Sequence, residues 1–271
     1  MSRICGIHLG NSFASMAHLN DMGRPEIIPN TDGERRIPAA VYFSHDDRVF
    51  VGSEAVRISY GDASRVVRWI QRHMGDADYC TSIDGKKYAP AELASFILKK
   101  LHQDAVPQVG EVTDVVISVP ANFGEVARKA TMDAGKIAGL NVVGIVNEPT
   151  AAALYYAITH EIGGRVMVFD LGGGTFDVSI VNVAGKDIEM VASSGDRDLG
   201  GSNFDQKLVE FFETKYREET GSNLYSTQEE RAEFEDYAEE TKKSLSKKET
   251  VAFRLKGESG TVRGEITRSE F

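Results

Sequence analysis

Two short segments of this chain share one pattern, in which an apolar strand runs into a turn of small residues and a second strand follows. The first covers residues 7–12 (IHLGNS) and the second covers residues 169–174 (FDLGGG). Apolar runs on either side of glycine and small polar residues predict two strands joined by a tight turn. Each copy stands at the head of one half of the chain. The repeat therefore predicts two similarly built lobes, each presenting a glycine-bearing hairpin.

The rest of the pattern alternates strands with helices, which predicts an α/β protein. We expect a hairpin at 41–43 and 49–51, buried strands at 114–119 and 142–146, and helices at 53–60, 64–74, 89–103, 125–138, 150–159, 203–220 and 228–246. Gly163 and Gly164 mark the predicted boundary, with a first lobe at 1–163 and the beginning of a second lobe at 164–271. The sequence stops at residues 267–271 as another helical pattern begins, so we expect an ending that is cut rather than finished.

Bulk properties exclude some classes of partner. The net charge of −10 argues against a broad basic surface for nucleic acid. No apolar stretch approaches the roughly 20 residues of a membrane span, so no membrane partner is expected. The first residues have the pattern of a strand and not of a secretory signal, so we expect a cytoplasmic protein.

The segment with the most chemistry is 170–177, which reads DLGGGTFD. Glycines tolerate positive φ and let a ligand approach the backbone, and their amides can form an anion nest. Asp170 and Asp177 lie at the two sheet ends of the turn, where carboxylates suit a hydrated magnesium ion. Thr175 adds a hydroxyl beside the expected phosphates. The alternative is a flexible hairpin with two solvated aspartates.

This octapeptide resembles the second phosphate loop of the DnaK-type heat shock protein 70 chaperones, within the actin-like superfamily. Four further segments are similar to motifs of that family in the same order, and the resemblance covers essentially the whole chain: 30–39 (NTDGERRIPA), 119–123 (VPANF), 147–153 (NEPTAAA) and 195–205 (GDRDLGGSNFD). The resemblance implies an actin-like ATPase fold of ribonuclease-H-like duplicated lobes. Because the chain stops before the rest of the family's second lobe and its peptide-binding domain, we expect an incomplete second lobe and no peptide-binding domain. It also implies ATP or ADP and Mg²⁺ as cofactors, bound between the lobes, and a J-domain co-chaperone, a nucleotide exchange factor and unfolded client proteins as partners.

The resemblance also implies roles for matched positions. Glu148 would position a water near the metal and link the nucleotide state to Pro120 and Arg128. The nucleotide would be held by the first phosphate loop, the second phosphate loop, a later glycine pair and a helical face at the adenosine: Gly10, Asn11, Ser12, Phe13, Gly172, Gly173, Gly174, Thr175, Gly200, Gly201, Glu239, Lys242, Lys243 and Ser246. The alternative for the last four is a solvated face of ion pairs, since they share one side of a helix.

Several positions depart from the family pattern. Asn11 and Ser12 replace two threonines and keep hydrogen-bonding side chains, and three further departures bear on the chemistry. His8 stands where the family has an aspartate near the metal, and imidazole is a poorer partner for magnesium than carboxylate. Gln71 stands at the catalytic lysine, although an alternative frame would put Arg68 there. Losing one charge aimed at the transition state costs about a hundredfold to a thousandfold in rate. Lys243 replaces an arginine beside the adenine, and lysine stacks on a ring less well.

Three functions stay open on these residues. The first is an ATPase organised by Glu148, Asp170 and Thr175, with Asp170, Asp177 and His8 near the metal. The second is a degenerate, hydrolysis-poor module that uses nucleotide as a regulatory ligand, which His8 and Gln71 favour. The third is an interaction scaffold without nucleotide, which the intact second phosphate loop disfavours.

Overall fold

The computed structural model describes residues 3–271, which form sixteen strands and six α-helices. The strands are β1 (Arg3–Leu9), β2 (Phe13–Leu19), β3 (Pro25–Ile28), β4 (Ile37–Pro38), β5 (Val41–Phe43), β6 (Val49–Val51), β7 (Val66–Val67), β8 (Thr81–Ile83), β9 (Lys86–Tyr88), β10 (Val112–Val119), β11 (Asn141–Asn147), β12 (Gly164–Leu171), β13 (Phe176–Ala184), β14 (Asp187–Asp196), β15 (Thr250–Gly257) and β16 (Gly260–Thr267). The helices are α1 (Ser53–Ser59), α2 (Pro90–Val109), α3 (Glu125–Ile137), α4 (Glu148–His160), α5 (Gly201–Thr220) and α6 (Gln228–Leu245). Two 3₁₀ turns lie at Ala63–Arg65 and Ile70–His73.

The chain divides into two compact units. The first unit holds the described residues up to Arg57 together with Arg65–Asp198, and the second holds Ile58–Ser64 and Leu199–Phe271. The predicted boundary at Gly163 and Gly164 separates two copies of a sequence repeat, whereas the two units are separated by which residues contact one another in space. The lobe division therefore stays a prediction.

The main sheet of the first unit has the order β11-β10-β1-β2-β3, with β4 also paired to β2. Strands β1, β10 and β11 are parallel, and β1 and β2 form the antiparallel hairpin that the repeat predicts. The carboxyl ends of the parallel strands therefore meet at one edge of the sheet. In open α/β sheets ligands bind at that edge. Here it carries the turn after β1 and the start of α4.

Helix α2 covers one face of this sheet because its apolar residues recur at helical spacing. Leu93, Ile97 and Leu98 have no solvent-exposed surface, and Leu101 continues the same side of the helix. Strand β10 alternates buried and partly exposed residues, so Val115, Ile117 and Val119 join the same core. The helix ends before Gly110, whose φ of 81° suits glycine.

A second sheet of the first unit, in the order β12-β13-β14, is antiparallel throughout. Ala153 and Ala157 of α4 pack against Val181 and Val183 of β13. Asp170 and Asp177 are paired across β12 and β13. The prediction that these two aspartates lie at the two sheet ends of the glycine turn is therefore confirmed.

The second unit packs α5 and α6 against the hairpin of β15 and β16. Phe212 and Tyr216 of α5 are fully buried with Leu245 of α6 and Leu255 of β15. Helix α6 begins at a capping box, in which Thr227 Oγ1 accepts a hydrogen bond from the Glu230 amide and the Glu230 carboxylate accepts one from the Thr227 amide.

Most predicted elements are confirmed, with ends that differ by a few residues. The helix predicted at 64–74 is wrong: that segment forms two 3₁₀ turns and the short strand β7. Trp69 interrupts the pattern with a φ of 63°, which a helix does not allow. Among the helices of residues 3–271, none combines the length and the apolar character needed to cross a bilayer.

Replacing Ile97 by alanine tests whether α2 anchors the first unit. The side chain of Ile97 is completely buried, and removing such a side chain leaves a cavity that costs about 2–5 kcal/mol of unfolding free energy. Trp69, the only tryptophan, lies in the first unit and reports its unfolding in urea by fluorescence. Ile137→Ala on α3, where isoleucine is 56% exposed, is the matched control and should change the unfolding free energy by less than about 1 kcal/mol. Equal losses for the two variants would contradict the assignment of α2 to the core.

Candidate functional site

Two glycine turns of the first unit close with the same backbone hydrogen bond. The Gly10 amide donates to the Phe13 carbonyl at 3.0 Å, and the Gly172 amide donates to the Thr175 carbonyl at 2.9 Å. Each turn joins two antiparallel strands, β1 to β2 and β12 to β13. The two predicted phosphate loops thus have the same local construction.

The glycines of these turns are needed for space. None of Gly172, Gly173 and Gly174 has a positive φ, so glycine's tolerance of that conformation is not what this turn uses. A Cβ atom on Gly173 would overlap the Ser12 hydroxyl oxygen. One on Gly174 would lie 2.9 Å from Arg72 Nε, closer than side chains pack. A side chain at Gly173 would therefore require Ser12 of the first turn to move, and one at Gly174 would require Arg72 to move.

Asn11 and Arg72 connect the two turns. The Arg72 amide donates to Asn11 Oδ1 at 3.0 Å, and Arg72 Nη2 donates to the Gly174 carbonyl at 2.6 Å. Asn11 is 6% exposed, and its Nδ2 has no acceptor among the described residues. A buried donor without an acceptor is uncommon in proteins and indicates a place where a ligand or water supplies one.

A polar cluster surrounds Glu148 at the first residue of α4. Gln71 is buried, and its Nε2 donates to Glu148 Oε1 at 3.2 Å. His8 Nδ1 lies 3.1 Å from Ser118 Oγ and 3.5 Å from Glu148 Oε1. The predicted catalytic positions Gln71 and Glu148 and the predicted metal position His8 are thus brought together. The contact of Gln71 with Glu148 favours the frame with glutamine at the lysine position.

Burial and neighbouring negative charge control protonation in this cluster. Burial, with the nearby carboxylates of Asp170 and Asp177, raises the pKa of Glu148 to about 8, and only the Gln71 hydrogen bond opposes this. Burial and Asp170 also raise the pKa of Asp177, and Arg197 opposes them. Burial of the His8 ring against the surrounding protein lowers the pKa of His8, and the negative charge of Asp170 opposes this shift. The burial is partial, since 48% of the side chain is solvent-exposed. Near pH 7 Glu148 therefore keeps its proton and His8 is neutral.

The carboxylates suit a hydrated cation better than a protein cage. Within residues 3–271, no three His, Cys, Asp or Glu side chains gather closely enough to hold a metal ion by themselves. Asp177 is 4% exposed, and its Oδ1 has no donor among the described residues. Magnesium usually keeps several waters and takes one or two carboxylates together with phosphate oxygens. Asp170 and Asp177 fit that pattern, and the predicted role of His8 as a metal ligand stays a prediction.

The predicted relay residues are linked to Glu148 through its neighbour. Arg128 on α3 donates from Nη2 to Asn147 Oδ1 at 2.5 Å and from Nε to the Phe123 carbonyl at 2.9 Å. The Phe123 amide donates in turn to the Pro120 carbonyl. These bonds connect the end of β11 with the segment after β10, so a physical path exists between Glu148 and Pro120.

The remaining predicted nucleotide residues lie in the second unit. Lys242 forms an ion pair with Asp205 at 2.7 Å and donates to the Gly201 carbonyl at 3.0 Å. Lys243 pairs with Glu239 and Glu240 on its own helix. Gly200 donates from its amide to Asn203 Oδ1 at the start of α5, and Ser246 Oγ donates to the Lys242 carbonyl at 3.4 Å. The ion pairs of the alternative interpretation are present, and the adenosine role stays a prediction.

Three residues of the site were not predicted from the sequence. Arg72, Ser118 and Arg197 face the cluster or the turns, but no role was predicted for any of them, although Arg197 lies within the motif at 195–205. Arg72 was detectable, because it is a cation directly after a neutral residue at the lysine position. Ser118 and Arg197 are placed by the pairing of β10 with β1 and by the end of β14.

Replacing Glu148 by glutamine should change how stability depends on pH. The folded pKa lies above the unfolded one, so the folded protein retains a proton that the unfolded chain has released, and wild-type stability falls as pH rises from about 5 to 8. Glutamine removes that loss. In urea titrations followed by Trp69 fluorescence, without nucleotide and with a chelator, the variant should gain at least about 1 kcal/mol on the wild type between pH 5 and pH 8. Parallel curves for the two proteins would refute the raised pKa.

Comparison with known families agrees with this geometry. A family model described as Hsp70 protein matches residues 4–271, which is nearly the whole chain. The mixed α/β architecture, with its two similarly closed glycine turns, is that of the actin-like ATPase fold. Nucleotide binding and a chaperone role are general properties of the family, as are contacts with clients and co-chaperones. The chain belongs to the Hsp70 protein family.

Proposed function

We propose that this chain is the magnesium-ATP-binding domain of a DnaK-type chaperone, and that it binds ATP well but hydrolyses it slowly. The observation that carries the proposal is the close approach of the two glycine turns. Gly173 packs on Ser12 so tightly that a Cβ would overlap the hydroxyl. Backbone amides of two such turns can surround a chain of phosphates, and only glycine permits the approach.

Unpaired buried atoms at the turns support a charged ligand. Asn11 Nδ2 is a donor without an acceptor, and Asp177 Oδ1 is an acceptor without a donor, within the part of the chain that the structure describes. Phosphate oxygens would accept from the first. Water molecules bound to a cation would donate to the second. A bound magnesium ion supplies positive charge that neutralises the phosphate oxygens.

The surroundings of Glu148 support slow hydrolysis. Phosphoryl transfer depends on positioning and on positive charge near the phosphate that is transferred. Gln71 offers Glu148 a neutral amide, so no ammonium group stands at this position. Glu148 can orient a water by hydrogen bonding, but its only described hydrogen-bond donor is this neutral amide. We therefore expect residual hydrolysis from positioning alone.

A second candidate is a degenerate module that binds nucleotide only to change its contacts with partners. The neutral state of His8 together with Gln71 favours it. The path through Arg128 and Asn147 would serve either function, because it connects Glu148 with Pro120 without requiring hydrolysis. A J-domain protein, an exchange factor and unfolded clients remain the proposed partners, and a cytoplasmic location remains proposed on the sequence alone.

Gln71→Lys tests whether hydrolysis is limited by charge. An ammonium beside Glu148 should favour the ionised carboxylate and stabilise the transferred phosphate, so the single-turnover rate with magnesium-ATP should rise about a hundredfold. Gln71→Met has a similar size and no charge, and it should give no gain. A wild-type rate within a few fold of the lysine variant would show that the natural protein is a fully active ATPase. A silent wild type with an active lysine variant would favour the degenerate module.

Binding itself is tested by thermal unfolding with and without nucleotide. A ligand that binds only the folded state stabilises it by about 2.7 kcal/mol at one hundred times its Kd. Magnesium-ATP should therefore raise the Tm of the wild type. Asp177→Asn, which removes one charge near the expected cation, should reduce the rise seen with magnesium more than the rise seen with ATP in a chelator. No change in the Tm of the wild type at millimolar magnesium-ATP would leave the interaction scaffold as the remaining function.

A further inference from the structure

One small cavity of the first unit has an unusual charge distribution. Asn11 and Thr175 of the two glycine turns line it, together with Arg72 and Arg197. Its remaining lining is uncharged, so among the described residues it presents two guanidinium groups and no carboxylate. The neighbouring cluster of Glu148, Asp170 and Asp177 has the opposite character. A cavity of this kind favours an anion.

The Arg72 guanidinium lies against the second glycine turn. Its Nη2 donates to the Gly174 carbonyl at 2.6 Å, and a Cβ on Gly174 would lie 2.9 Å from Nε and 3.1 Å from Nη2. The guanidinium packs directly on the backbone that would surround the phosphates. A guanidinium has five N–H donors in a planar fork, so one side chain can hold a carbonyl and a phosphate oxygen together.

The backbone that carries Arg72 is held in place on both sides. On one side lies Trp69, which has a φ of 63° and whose ring centre is 5.2 Å from the Arg72 guanidinium carbon. On the other side the Arg72 amide donates a hydrogen bond to Asn11 Oδ1. A positive φ at a bulky residue costs energy and persists only where surrounding contacts impose it. The 3₁₀ turn at Ile70–His73 therefore fixes Arg72 toward the turns and Gln71 toward Glu148.

Asn11 supplies an independent sign of an anion at this place. It is buried, it lines the same cavity, and its Nδ2 donor has no acceptor in the part of the chain that the structure describes. Its Oδ1 is already engaged by the Arg72 amide. An oxygen of an anion in the cavity would satisfy this donor next to the guanidinium.

We propose that Arg72, assisted by Asn11 Nδ2, binds the terminal phosphate of the nucleotide and makes this site prefer a triphosphate over a diphosphate. The inference rests on the proposed function and deepens it. We assign this contact to the terminal phosphate because Gln71, the residue before Arg72, contacts Glu148. Glu148 is the residue predicted to position the attacking water. Arg72 thereby supplies a positive charge for binding the phosphate, whereas the neutral Gln71 supplies none for hydrolysis.

Titration calorimetry of Arg72→Gln with two nucleotides tests this proposal. The ligands are the magnesium complexes of ADP and of the non-hydrolysable β,γ-imido analogue of ATP. Loss of a charged hydrogen bond should raise the Kd of the analogue about tenfold or more, while the Kd of ADP changes less than about twofold. Arg72→Lys keeps the charge without the fork and should fall between. Circular dichroism confirms that each variant is folded.

Arg165→Gln removes an equal charge from the exposed end of β12 and should leave both Kd values unchanged. An equal loss of both nucleotides in Arg72→Gln, or no loss of either, overturns the inference while the proposed function stands. A selective loss of the analogue in Arg68→Gln and not in Arg72→Gln also overturns it. If the wild type binds neither nucleotide, the proposed function fails and the inference fails with it.

Discussion

The contact of the two glycine turns is the constraint on which the functional part of the first unit depends. Because Gly173 packs on Ser12 and Gly174 packs on Arg72, the strands that carry these turns must meet with almost no space between them. That contact brings the end of β1, the start of β13 and the 3₁₀ turn at Ile70–His73 together. Asn11 accepts a hydrogen bond from the Arg72 amide, and the Arg72 guanidinium donates to the Gly174 carbonyl, so these two residues join the three parts. A ligand that separates the turns has to replace these contacts with its own.

Charge balance explains why the departures from the family pattern are compatible with one another. The family pattern places an aspartate at His8 and a lysine at Gln71, so this chain lacks one charge of each sign and the net charge of the cluster is unchanged. The consequence appears in the pKa of Glu148. Burial and two nearby carboxylates raise this pKa, and only the hydrogen bond from the Gln71 amide opposes them. Positive charge is supplied on the other side of Gln71, by Arg72 and Arg197.

The sequence predicted what depends on local patterns. Alternating and continuous apolar runs located the main strands and helices, and the length of the glycine turn placed Asp170 opposite Asp177. The segment 64–74 was misassigned because its conformation is imposed from outside: Trp69 adopts a positive φ where Arg72 bonds to Asn11 and Gly174. For the same reason Arg72 and the steric need for Gly173 were not predicted, since both follow from contacts between segments far apart in the chain.

The parallel pairing of β1 with β10 has a consequence for biosynthesis. Ile4 pairs with Asp114 and Ile7 with Ile117, so β1 must wait for a strand that follows it much later in the chain. As the chain leaves the ribosome, β2 can pair with β1 at once, but the parallel strands that lead to the start of α4 are complete only after β11 has emerged. The entropy of closing so long a loop has to be met before these strands pair. The edge of the sheet that carries the first glycine turn and Glu148 is therefore completed late in synthesis.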